Sequence, residues 1–141
     1  MNFTKGLLSD IIFHHIFISH AWKYNDDYYT VIGWLDNSNM GYKNYSVPEH
    51  DPIDTHNTKK LKEQLTEQIR HASIVIIIGG MYVAYSDWID YELDEAKRMN
   101  KKIILLRPRG QERMSFKATL YADKIVGWNS TSLINAIKEL Q

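Results

Sequence analysis

The chain contains no cysteine in its 141 residues. That excludes a disulfide framework, a thiolate nucleophile and any cysteine-ligated metal site, and it suits a reducing cytoplasm. Charge of one sign is also missing. With 17 basic residues against 17 acidic ones, the chain has no net field to draw in a polyanion, so nucleic-acid binding is not expected. No apolar run approaches the roughly 20 residues that a membrane helix needs. The early apolar residues are interrupted by Lys5, Asp10, His14 and His15, which is not the pattern of an export signal. Neither G-x-G-x-x-G nor the P-loop pattern occurs, which argues against a dinucleotide-binding dehydrogenase or an NTPase. Internal repeats and low-complexity tracts are absent too. What remains is 44% apolar and 24% charged, in a length that supports one hydrophobic core but not two ordinary ones. A single soluble, intracellular domain is expected, without a membrane partner.

The pattern is organised around residues 73–99. Ile74, Val75, Ile76, Ile77 and Ile78 form a β-branched run bounded by two glycines, Gly79 and Gly80, as expected for a strand covered on both faces. The period then becomes helical. Ser86 or Asp87 is the expected cap, Asp90 and Glu92 are expected in the first turn where the macrodipole favours acids, and Ile89, Leu93 and Ala96 mark an inward stripe. Trp88 and Glu92, four residues apart, stand side by side one helical turn apart.

The rest of the chain alternates in the same way. Residues 1–13 are read as a lead segment and 14–141 as the domain. A first strand over 15–19 ends in Ser19-His20-Ala21-Trp22, a helix follows over 26–35, and an edge strand over 42–47 stops at Pro48. Residues 49–57 form a polar loop, 58–70 a helix with Leu61, Leu65 and Ile69 inward, and 102–106 a further buried strand. One helical turn over 116–121, a short strand over 124–126 and a closing helix capped by Ser130 or Thr131 complete the order. This alternation predicts an α/β domain of flavodoxin-like, three-layer type, with five parallel strands in the order 2-1-3-4-5. Strands one and three are then neighbours. The loops after them flank the topological switch point, where open α/β sheets bind ligands.

Phe17-Ile18-Ser19-His20 closing the first strand, Ser46-Val47-Pro48-Glu49 after the second and Trp88-Ile89-Asp90-Tyr91-Glu92 in the third helix together resemble the bacterial TIR-like domains. The nearest group is that of the Thoeris anti-phage TIR proteins, over residues 14–140, with the tail 102–128 also similar. The resemblance implies a flavodoxin-like fold and cleavage of NAD at the nicotinamide–ribose bond. It makes Glu92, which matches the W-x-x-x-E glutamate, the catalytic residue. It also implies a cyclic or conjugated ADP-ribose signal that activates a separate effector protein, together with self-association. NAD is then substrate rather than cofactor. The chain departs from animal signalling TIR domains, whose middle loop is usually longer and more basic.

The chemistry asks little of the protein. Nicotinamide in NAD is already a cationic leaving group, so the need is to stabilise oxocarbenium-like charge on the ribose, and one carboxylate suffices. Trp88 can stack on the nicotinamide cation, worth roughly 0.5 to 2 kcal/mol. Ser19, His20, Trp22 and Ser46 are the candidate substrate-binding residues lining the crevice. Each has a bland reading beside it. Glu92 also reads as a favourable acid in a first turn, Trp88 and Trp22 as packing residues, His20 as a loop histidine, and Gly79-Gly80 as a tight strand exit. His50, Asp51, Asp54 and His56 match no recognised metal spacing and read as a polar loop. Lys97, Arg98, Lys101 and Lys102 complement a helix C-terminus. Two other functions remain open: a non-enzymatic interaction module, and nucleoside 2-deoxyribosyltransferase-like chemistry, which also uses a glutamate.

Overall fold

A computed structural model of the chain describes residues 13–19, 25–46, 58–79, 82–110 and 114–140, with backbone alone at 25, 58 and 82–86. Five strands, β1 (His14–Ile18), β2 (Tyr42–Asn44), β3 (Ile74–Ile78), β4 (Lys102–Leu106) and β5 (Lys124–Val126), alternate with helices. The helices are α1 (Asn25–Asp36), α2 (Thr58–His71), α3 (Tyr82–Arg98), α4 (Phe116–Tyr121) and α5 (Ser130–Glu139). The strands form one parallel sheet in the order β2-β1-β3-β4-β5. This is the flavodoxin-like order expected from the alternation. α2, α3 and α4 pack side by side and α5 packs beside α1, the division between two faces that right-handed crossovers produce.

Double coverage explains the composition of the central strands. Every residue of β3 is buried, as are Ile103 to Leu106 of β4, so alternation gives way to unbroken β-branched and leucine runs. Leu61, Leu65 and Ile69 of α2 and Ile89, Leu93 and Ala96 of α3 are buried against them, the stripes that helical spacing predicts.

Several boundaries differ from the sequence reading, among them a residue at each end of α1 and one at the end of α2. The first strand starts and stops one residue earlier, at His14–Ile18. β2 ends at Asn44 because the Asn44 side-chain oxygen accepts the Ser46 amide at 2.8 Å, a turn that competes with the ladder. The cap of α5 is Asn129, whose side chain accepts the Ser132 amide at 2.8 Å, rather than Ser130 or Thr131. The largest change is at α3. It begins at Tyr82, a full turn before the expected caps, and its first turn holds no acid. Capping preference is a weak prior that tertiary packing overrides, and Asp87 lies exposed within the helix.

Candidate active site

The displaced start of α3 alters the meaning of Glu92. Counted from Tyr82, Glu92 is the eleventh residue of α3, so about 15 Å of helix separates it from the N-terminus and the macrodipole offers it nothing. The reading of Glu92 as an ordinary first-turn acid is therefore overturned. Glu92 is 2% exposed, one of its carboxyl oxygens is buried, and among the described residues that oxygen has no hydrogen-bond partner. Burial alone pushes the carboxyl up to about 8. A buried acid with no partner is costly, and such groups concentrate where chemistry requires them.

The helical wheel shows where this carboxyl faces. Glu92 stands at one edge of the buried Ile89-Leu93-Ala96 stripe, with half-buried Trp88 next to it on the same flank. Side chains on a helix lean toward its N-terminus, so the Glu92 carboxyl leans toward the turn that carries Trp88. On the far side of that flank are Tyr91 and Glu95, and both reach α2. Thr66 of α2 lies 2.5 Å from the Tyr91 hydroxyl and donates to Glu95 at 2.7 Å. Since α2 packs on β1, the Trp88–Glu92 flank is the one turned toward the β1/β3 boundary, the switch point of the sheet.

Of two other candidates, Ser19 lies at that boundary and Ser46 at the neighbouring junction of β2 with β1. Ser19, fully buried, accepts the Ile78 amide at 3.2 Å and so ties the end of β1 to the end of β3. Ser46 accepts the Ile18 amide at 3.1 Å, and its hydroxyl lies 2.6 Å from the Asn44 side-chain oxygen. Asn44 in turn donates to the Tyr28 hydroxyl at 2.8 Å. Both serines thus tie neighbouring strand ends together. Among the described residues no hydrogen bond joins either serine to Glu92. His20 and Trp22 lie outside the described residues, as do Gly80 and the 50–56 acid and histidine cluster. Among the described residues no group of three potential ligands could hold a metal ion.

Gly79 has its own explanation. A Cβ there would meet the Leu106 carbonyl oxygen at 2.9 Å, so the glycine lets β3 and β4 leave the sheet in close contact. Sequence reading missed two features. The Thr66–Tyr91–Glu95–Arg98 network had no local signal, because its members come from two helices. The pair of Asp27 and Arg109, 2.8 Å apart, was foreshadowed only by Arg107-Pro108-Arg109 directly after an apolar strand.

A family model described as Thoeris protein ThsB, TIR-like domain, matches residues 17–113, more than half of the chain. The chain belongs to this Thoeris TIR-like family. The match spans both serines, Trp88 and Glu92. Searching curated proteins yields no match. Two solved structures share the fold of this Thoeris TIR-like domain. The 2-deoxyribosyltransferase from Bacillus psychrosaccharolyticus aligns with a TM-score of 0.64 at 16% identity, over 86% of this chain and 90% of that one. The Clostridium botulinum CMP N-glycosidase BcmB aligns with a TM-score of 0.54 at 14% identity, over 88% of this chain and 98% of that one. At such identities the likeness concerns the fold. No described helix is long and apolar enough to cross a membrane.

Proposed function

We propose that this Thoeris TIR-like domain cleaves NAD at the nicotinamide–ribose bond, with Glu92 as the catalytic carboxylate and Trp88 as the aromatic facing the nicotinamide. The observation that carries this reading is the buried Glu92, one carboxyl oxygen of which has no partner among the described residues, one turn after Trp88 on the flank of α3 turned toward the switch point. A carboxyl that burial keeps protonated becomes a carboxylate when a cation enters beside it, because the opposite charge offsets the desolvation. The nicotinamide ring brings that cation. The carboxylate then faces the ribose as positive charge grows there, and nicotinamide leaves neutral. Because Glu92 is 2% exposed, substrate entry requires displacement of the groups that cover it.

In this reading the product is an ADP-ribose derivative, cyclic or conjugated, that acts on a separate effector protein in anti-phage defence. Self-association and a cytoplasmic setting belong to the same proposal. The test is incubation of wild type and Glu92→Gln with NAD, alone and with phage-infected lysate, reading nicotinamide and all adenine-containing products by mass spectrometry. Glu92-dependent nicotinamide release is expected. No release under either condition moves the assignment to an interaction module. Turnover of deoxynucleosides without turnover of NAD selects the 2-deoxyribosyltransferase-like reading, with which the shared fold also agrees.

A further inference from the structure

The segment after β4 does more than connect it to α4. Arg109 follows β4 by three residues, yet its guanidinium pairs with Asp27, in the first turn of the helix that follows β1, at 2.8 Å. In the sheet β3 lies between β1 and β4. The pair therefore spans the carboxyl end of β3, and Arg109 borders the β1/β3 switch point from the side opposite α3. Its position is constrained from two directions. Asp27 holds one terminal nitrogen, and the guanidinium lies over the Trp128 ring at 5.7 Å, a ring braced edge-on by Trp34 at 4.9 Å. The Asp27 side chain is 17% exposed while that of Arg109 is 60% exposed, so the anchor is half-buried and the cation is presented to solvent.

A guanidinium has five N–H donors in a rigid fork, and the contact with Asp27 is an ion pair at one terminal nitrogen that lacks hydrogen-bond geometry. The remaining edge suits a diphosphate, the doubly charged centre of a dinucleotide. We infer that Arg109, set in place by Asp27 and Trp128, receives the pyrophosphate of the dinucleotide substrate at the carboxyl end of the sheet. The inference deepens the NAD reading and rests on it. Asp27 neutralises part of the charge but fixes its position.

The experiment separates binding from chemistry. Wild type, Arg109→Gln and Arg109→Lys are titrated calorimetrically with ADP-ribose and with nicotinamide riboside, which lacks the pyrophosphate, and are then assayed for nicotinamide release from NAD and from the riboside. Loss of a charge-assisted hydrogen bond predicts that Arg109→Gln weakens ADP-ribose binding and raises KM for NAD about 10-fold or more. Its kcat and every riboside measurement stay near wild type, and Arg109→Lys falls between. Equal losses on both ligands, matched by Asp27→Asn, would reduce Arg109 to a structural tie and overturn the inference. So would unchanged ADP-ribose affinity in Arg109→Gln, or no ADP-ribose binding by wild type. Arg109-dependent ADP-ribose binding without nicotinamide release would sustain the subsite and refute the NAD-cleaving reading instead.

Discussion

Two glutamates on α3, three residues apart, illustrate how position governs chemistry. Glu95 is surrounded by donors: Arg98 at 2.6 Å, Thr66 at 2.7 Å and the Tyr91 hydroxyl at 3.3 Å. The Arg98 hydrogen bond foremost, then those from Thr66 and Tyr91, hold its carboxyl below the usual range against the opposing effect of burial. Glu92 has burial and nothing else, and its carboxyl moves the other way. The sequence places both on one helix with the same side chain. A rotation of less than a turn gives one the α2 interface and the other the edge of the core. One is a satisfied structural acid; the other is an acid whose cost calls for a function.

The sharpest way to break this contrast is to neutralise each glutamate in turn. Glu92→Gln should lower nicotinamide release by about 10³-fold or more, on the scale of losing a preorganised electrostatic group at the reacting centre. Glu95→Gln should leave turnover within a small factor. Comparable losses from both would show that α3, rather than Glu92, is what matters. Next in size is the pH profile. Since kcat/KM reports the free enzyme, its value for NAD should climb about tenfold per unit up to about pH 8 and then level off. A profile flat from pH 6 to 9 would contradict a raised Glu92 carboxyl.

Stability sharpens the same comparison without substrate. The unfolded Glu92 carboxyl ionises near its ordinary 4.5 and the folded one near 8, so between those values the folded protein holds an extra proton. Stability from this group is complete below about 4.5, falls as pH rises through the window, and stops falling above about 8. Glu92→Gln, which cannot ionise, should lose that slope and become more stable than wild type at pH 8 to 9 by about 1 to 3 kcal/mol, read from urea titrations. The smallest effect is expected at the other acid. Thr66→Val removes the bonds to Tyr91 and Glu95 and should cost about 1 kcal/mol, a drop of several degrees in Tm, with turnover unchanged.

Much of the fold was legible because its signals are local. β4, α4 and β5 fall where the apolar run, the single helical turn and the short closing run placed them: Lys101 and Arg107 bound β4, Ser115 caps α4, and Asp123 and Gly127 flank β5. The inward stripes of α2 and α3 followed from spacing alone. The start of α3 did not, because Ser86 and Asp87 are good caps that the helix absorbs into its body. The serines were legible as residues after strand ends but not as ties. Ser19 binds an amide 59 positions away and Ser46 one 28 positions away, and no window of sequence contains both partners.

By itself the sequence determined the order of elements, the parallel sheet they build and the pairing of Trp88 with Glu92, since these depend on period, propensity and spacing within a few residues. Only the tertiary structure decided that Glu92 is buried with one oxygen unpartnered among the described residues while Glu95 is satisfied, and that Arg109 reaches across β3 to Asp27. Burial and long-range pairing are properties of packed surfaces, and they arise only when distant segments exclude water together.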